Sequence, residues 1–232
     1  MLSSQVVIRC RGILFDMDGI LISSLGSVER SWTKWALMRG VDPERAISIA
    51  HGCRSVDTIA ILRPDLDLET ENGIIGGLEI EDTDGVAVLP GVLRLLTALP
   101  PDRWTVVTSA TVPLARARLA AGGIPVPSRI VTAESVTEGK PHPAPYLAGA
   151  AMLGFLPEDC VVFEDAASGA NSARAAGCTV VATTFSHSIE SLASAHYLIE
   201  DLNGVDVATL AGDEGLELRF VPLARQSTEA VS

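Results

Sequence analysis

Gly12-Ile13-Leu14-Phe15-Asp16-Met17-Asp18-Gly19 drives an uninterrupted apolar run straight into two carboxylates and a glycine. A run so short and so continuously apolar suits a strand buried on both faces of a parallel sheet. Outward from it, similar runs recur at Trp104 to Thr108, Arg129 to Thr132, Cys160 to Phe163, Thr179 to Ala182 and Tyr197 to Ile199. Helical patterns alternate with them at Val92 to Leu99, Pro113 to Ala121, Pro145 to Leu153, Gly169 to Ala176 and Ser188 to Ala195. Repeated strand-helix alternation predicts an α/β fold, a doubly wound parallel sheet with right-handed crossovers.

One stretch departs from that rhythm. From about Ser24 to Gly85 no strand pattern is visible, and Trp32, Trp35, Leu37, Met38, Ile47, Ile59 and Leu62 mark helical segments. This predicts a small helical cap over 23–87, inserted after the first strand into a core made of 1–22 and 88–223. A polar tail follows over 224–232. Asp65 to Asp84 carries eight acids and no base, which reads as a solvated cap surface.

The 232 residues are 47% hydrophobic, ample for a packed core, and carry a formal charge of −12. That charge argues against nucleic acid, whose affinity rests on clustered Lys and Arg, and against an anionic membrane surface. An anionic ligand must then be small and held by local features. Cys10, Cys53, Cys160 and Cys178 lie far apart without zinc spacing, and read as reduced core thiols of a cytoplasmic protein. Met1 to Arg11 has no signal-peptide pattern, and no apolar stretch reaches the ~18 residues of a membrane span. A monomer is the default expectation.

In a doubly wound sheet the carboxyl ends of the strands form the ligand crevice, and four motifs stand there. Asp16 and Asp18, at i and i+2, can project from a turning backbone toward one crevice. A calcium loop is excluded, because Ile20 and Ser27 fall where that loop needs Asp or Asn and Glu. Thr108-Ser109-Ala110 ends a strand in small hydroxyl residues, suited to helix capping or to binding phosphoryl oxygens. Lys140, one of only two lysines among seventeen basic residues, sits between Gly139 and Pro141 as a compact point charge. His142 beside it reads as a solvated loop residue. Glu164 and Asp165 end another buried strand, where unpaired acids are costly. With Asp16 and Asp18 they form an all-oxygen set suited to Mg²⁺.

Acid pair, hydroxyl, lysine, acid pair, with a helical insertion after the first, resembles the haloacid dehalogenase-like phosphohydrolases over nearly the whole chain to about Phe185. His51 to Ala60, Gly139 to Leu147 and Val161 to Gly169 are most similar to the sugar-phosphate and polyol-phosphate phosphatases of that family, the 2-deoxyglucose-6-phosphate and glycerol-phosphate enzymes among them. The resemblance implies that Asp16 attacks phosphorus and that Asp18 serves as general acid and base. It implies Mg²⁺ held by Asp16, the Asp18 carbonyl and Asp165, with Glu164 near or in the shell. Ser109, the Ala110 N–H and Lys140 would bind the phosphoryl oxygens, Thr108 would support them, and Arg54 in the cap loop would touch the small phosphorylated substrate.

Two departures stand out. Ile20 replaces the family's usual Thr, and Ser23-Ser24 replaces Asp-Ser. A phosphomutase of the β-phosphoglucomutase kind shares all four motifs, but such mutases have a His where this chain has Val28. Haloalkanoic acid dehalogenation is disfavoured by the full set of metal-binding acids. A silent binding domain on the same scaffold is the remaining alternative.

Overall fold

The computed structural model describes residues 4–212 and 214–224. In chain order, β1 (Val6–Cys10), β2 (Gly12–Phe15) and β3 (Ile22–Ser23) lead into four helices: α1 (Leu25–Arg39), α2 (Pro43–Ala50), α3 (Ser55–Leu62) and α4 (Leu68–Glu81). Then follow β4 (Ala87–Val88), α5 (Val92–Ala98), β5 (Trp104–Val106), α6 (Val112–Ala121), α7 (Ala144–Leu153), β6 (Cys160–Glu164), α8 (Ala167–Ala175) and β7 (Thr179–Thr183). The described chain closes with β8 (Tyr197–Ile199), β9 (Asp206–Thr209) and β10 (Leu216–Phe220).

The central sheet is parallel, in the order β5-β2-β6-β7-β8. Alternation along its strands divides the core. Ile13 and Phe15 of β2 and Val161 and Phe163 of β6 pack on one side with α5 and α6. Leu14, Cys160 and Val162 pack on the other with α7 and α8. The Phe15 and Phe163 rings stack across the strand pair at 5.3 Å, which locks side by side the two strands that deliver the acids. Both faces being covered explains why these strands read as unbroken apolar runs.

The four helices α1 to α4 bury a cluster of their own, centred on Trp32, Trp35, Ile59 and Ile75. The short antiparallel pair β3-β4 stands at their entry and exit. A separate antiparallel sheet, β1-β10-β9, flanks the core.

Two expected elements differ. Ser188 to Ala195 is not a helix: Leu192 N–H donates to the Ile189 carbonyl and Ala195 N–H to that of Leu192, and Ser191 spends both its N–H and its hydroxyl on the Ser188 carbonyl. Serine hydroxyls competing for backbone acceptors favour such turns over helix. Arg129 to Thr132 contributes only a bridge between Val131 and Val107, because Thr132 caps a tight turn at Ala133–Ser135 and ends the extended backbone there. The acidic stretch is also not wholly solvated. Glu71 and Glu79 share the buried face of α4 with Ile75; Glu71 accepts from the Trp35 indole and from Arg39. Of the tail expected over 224–232, everything past Ala224 lies outside the described residues. Among the described residues no helix is long and apolar enough to cross a membrane.

Candidate active site

Asp16 follows β2 directly and is anchored by its N–H to the Phe163 carbonyl of β6. Its side chain is buried, as are those of Lys140, Glu164 and Asp165. Lys140 Nζ donates to Asp16 Oδ1, to Glu164 Oε1 at 2.7 Å and to the Val107 carbonyl at 3.2 Å, which engages all three ammonium protons. Burial alone would depress the Lys140 ammonium, but Asp16 and Glu164 outweigh it and hold it above its usual value. Burial, opposed by Lys140 and reinforced by Glu164 and Asp18, pushes the Asp16 carboxyl up to about 8. Burial, then Glu164 and Asp16, also raise Asp165. Asp16 and Asp165, crowded together out of water, resist ionisation until a further cation joins them.

Asp16, Glu164 and Asp165 each offer an oxygen within 4.8 Å of the others, a hard all-oxygen set that fits a divalent cation. Glu164 differs from its neighbours. Oε1 already accepts from Lys140 and from the Tyr146 hydroxyl, and Oε2 from the N–H groups of Asp165 and Ala166. Four donors on one carboxylate make it the holder of Lys140 and of the α8 N-terminus, and leave Asp16 and Asp165 as the freer ligands. Gly19 permits the approach: its φ is +81°, and a Cβ there would lie 1.8 Å from Asp165 Oδ2.

Asp18 points into the cleft. Ser24, at the start of α1, gives its hydroxyl to Asp18 Oδ1 instead of capping its own helix. Arg118 Nη1 reaches both Asp18 oxygens at 3.1 Å, and Nη2 donates to Glu79 Oε1 at 3.1 Å. An acid of α4 is thus joined to the second aspartate through an arginine of α6.

Thr108, Ser109 and Ala110 line the cleft, whereas Arg54 does not. Ser109 Oγ donates to the Gly52 carbonyl, as does Ser168 Oγ, because the cap loop 51–53 descends over the cleft and presents that acceptor. The Ala110 N–H is taken by Thr108 Oγ1. Arg54 does not line the cleft: it forms a two-pronged pair with Asp57, and its Nη1 donates to the Val136 and Thr137 carbonyls. It lies so close over Gly139 that a Cβ there would meet Arg54 Nε at 2.6 Å. Its guanidinium ties the start of α3 to the loop that carries Lys140. Cys10, Cys160 and Cys178 are buried free thiols, whereas Cys53 is half-buried in the cleft wall. His142 is exposed and pairs with Glu138.

The cleft holds about 70 Å³ and is lined by Asp16, Asp18 and Asp165 together with Val28, Trp32 and Cys53. Ser186 of the loop after β7 donates to Asp165, and His187 beside it faces His51 of the cap edge-on. Burial, then His187, lowers the His51 imidazole.

Sequence reasoning missed Arg118, Glu79, Ser24, Tyr146 and Ser186. A signal existed for the first two. Arg118 shares a helix face with Leu114, Ala115 and Leu119, and Glu79 follows Glu71 and Ile75 at four-residue steps. A charge in register with core residues of a helix is a charge in need of a partner.

Comparison with known proteins agrees with this geometry. Hexitol phosphatase A of Escherichia coli (strain K12) is 42% identical over 179 residues, 75% of this chain and 83% of that protein. Glycerol-1-phosphate phosphohydrolase 1 of Saccharomyces cerevisiae (strain ATCC 204508 / S288c) is 36% identical over 192 residues, 77% of each. The crystal structure of a hydrolase from Pseudomonas syringae superposes with a TM-score of 0.76 at 24% identity, covering 83% of this chain and 94% of that one. The family model for haloacid dehalogenase-like hydrolase matches residues 10–177, from the end of β1 to beyond α8 and so across all four strand-end motifs: the chain belongs to the haloacid dehalogenase-like hydrolase family.

Proposed function

We propose that this protein is a Mg²⁺-dependent phosphatase of small phosphorylated polyols or sugars, working through a phosphoryl group carried on Asp16. The observation that carries the reading is Asp16 itself, a buried carboxylate gripped by Lys140 and facing Asp165 at the floor of a small capped cleft. Asp16 attacks phosphorus, an Asp16–phosphorus bond forms as the ester P–O bond breaks, and Asp18 gives its proton to the departing alkoxide. Water then attacks the phosphoryl-aspartate, loses a proton to Asp18, and releases Asp16 and inorganic phosphate. Lys140 fixes the orientation of Asp16 and sets positive charge beside the equatorial oxygens, where positioning and electrostatics do most in phosphoryl transfer. Asp16 and Asp165 would hold the metal, which neutralises charge between nucleophile and substrate when bound.

In this reading 23–87 is a cap domain that moves to admit the ester, since His51, Gly52 and Cys53 of its loop stand in the lining of a cleft of about 70 Å³. Ser109 and the Ala110 N–H turn to the phosphoryl group when the cap lifts away from Gly52. A cytoplasmic location and a monomeric state complete the reading, supported by free cysteines and by a cleft built from one chain.

The test is phosphate release from a panel of glycerol, hexitol, sugar and glycolate phosphates, with Mg²⁺ and with EDTA. We expect release from at least one polyol or sugar phosphate, abolished by EDTA. Absence of release from every ester would overturn the proposal. Val28 at the cleft wall cannot exchange protons as a histidine can. Conversion of a hexose 1-phosphate to its 6-phosphate without release would favour the mutase instead.

A further inference from the structure

The chain Asp18–Arg118–Glu79 is not closed. Glu79 and Arg118 are only 4% and 3% exposed, yet apart from the Trp32 indole beside Glu79 no partner of ordinary hydrogen-bond geometry reaches Glu79 Oε2 or Arg118 Nε. Three other buried polar atoms among the described residues share this condition, but those are serine and threonine hydroxyls, which turn freely and carry no charge. A charged donor and a charged acceptor left over in the same pair are far costlier. Both side chains line the cleft, together with Asp18 and the apolar side chains of Leu25 and Val28.

One left-over donor and one left-over acceptor match one hydroxyl, which accepts from the first and donates to the second. We propose that Arg118 and Glu79 recognise a hydroxyl of the leaving alcohol, one or two carbons beyond the ester oxygen, and so select polyol and sugar phosphates over phosphates of simple alcohols. The inference rests on the phosphatase reading and deepens it. Position supports it. Arg118 touches Asp18, the residue assigned to the ester oxygen, so the next carbons of the leaving group run along the Arg118–Glu79 pair. Leu25 and Val28 in the same lining suit their C–H faces. Glu79 comes from the cap and Arg118 from the core, so a substrate with the hydroxyl also gives the cap a reason to stay shut. That hydroxyl completes a hydrogen-bond path joining both parts, and an alcohol lacking it leaves two buried charged groups unsatisfied.

The experiment compares kcat/KM for glycerol 1-phosphate and propyl phosphate, which differ only in hydroxyls, in the wild type and in Arg118→Lys and Glu79→Met. We expect the wild type to favour glycerol 1-phosphate by about 10- to 100-fold, the range of one charged hydrogen bond. Each variant should bring that ratio down toward one, chiefly by raising KM for glycerol 1-phosphate. The ratio is read within one preparation, so a smaller folded fraction does not move it. If neither variant folds, the wild-type ratio decides alone: a ratio near one overturns the proposal and a ratio of about tenfold or more sustains it. Variants that lose activity equally on both esters would make the pair merely structural. No release from any ester would instead remove the phosphatase reading, and this inference with it.

Discussion

Tyr146 tests how far the buried charges depend on one another. Its hydroxyl donates to Glu164 Oε1 at 2.6 Å, on the same oxygen that takes Lys140, and burial raises its ionisation well above the usual value, so it stays a donor. Tyr146→Phe removes a hydrogen bond to a charged group in a site closed to water. We expect a loss of about 1.5–3 kcal/mol in urea unfolding, and a loss under 0.5 kcal/mol would show that Glu164 is held by its other donors. Asp16, Asp18 and Asp165 stood out because each follows an apolar run, and Lys140 because it is one of only two lysines and sits between Gly139 and Pro141: each of them interrupts a pattern. Arg118 and Glu79 do not. They sit inside helices among other charges, and only their register with Leu114 and Ile75 distinguishes them. Arg54 shows the opposite case: it stands out in the sequence and lies off the cleft lining. A loop arginine facing the core is a good substrate ligand in one dimension, but Asp57 three residues on claims it first.

At the scale of elements, glycines in helices separate local propensity from packing. Gly169 opens α8, and a Cβ there would fall 1.6 Å from Glu164 Oε1. Gly73 in α4 has nothing within 4 Å of its added Cβ. Helix propensity alone predicts that alanine stabilises both, by about 0.5–1 kcal/mol. We expect that gain only for Gly73→Ala. Gly169→Ala should lower the melting temperature and the activity together, because the side chain displaced is the one that grips Lys140. A melting temperature for Gly169→Ala equal to or above the wild type would refute this packing. The parallel strands were readable for the same reason that Gly169 is needed: every residue there is buried on one face or the other. The β1-β10-β9 sheet was not readable. Its first strand alternates half-buried and exposed residues and ends in Arg9-Cys10, a pattern too short to separate from a polar lead-in. The stretch of α1 to α4 was recognisable as helical, but the two acids on the inner face of α4 were hidden among six others there.

For the whole molecule, the formal charge of −12 meets its function through local compensation. Asp16 held near 8 against an ordinary 3.8 means that the metal-free folded protein keeps a proton that the unfolded chain has already released. Between those values the folded state binds more protons, so metal-free stability contributed by this group falls as pH rises. Metal requires the deprotonated carboxylate, so Mg²⁺ affinity should strengthen from pH 6 to pH 8 with proton release. Calorimetry in two buffers of different ionisation enthalpy would detect it; affinity independent of pH would contradict the raised Asp16. Saturating Mg²⁺ at about 100 times its Kd should add about 2.7 kcal/mol to unfolding stability. EDTA should remove that gain, and Asp165→Asn should prevent it.

The claim on which the rest depends is that Asp16 carries the phosphoryl group. It is tested most directly by acid-quenching the wild type and Asp16→Asn during turnover of glycerol 1-phosphate and mapping the peptides by mass. The account predicts one added phosphoryl group on the wild-type peptide containing Asp16, with phosphate release, and neither in Asp16→Asn. Phosphate release by Asp16→Asn at the wild-type rate, or a phosphoryl group trapped on a different residue, would contradict it.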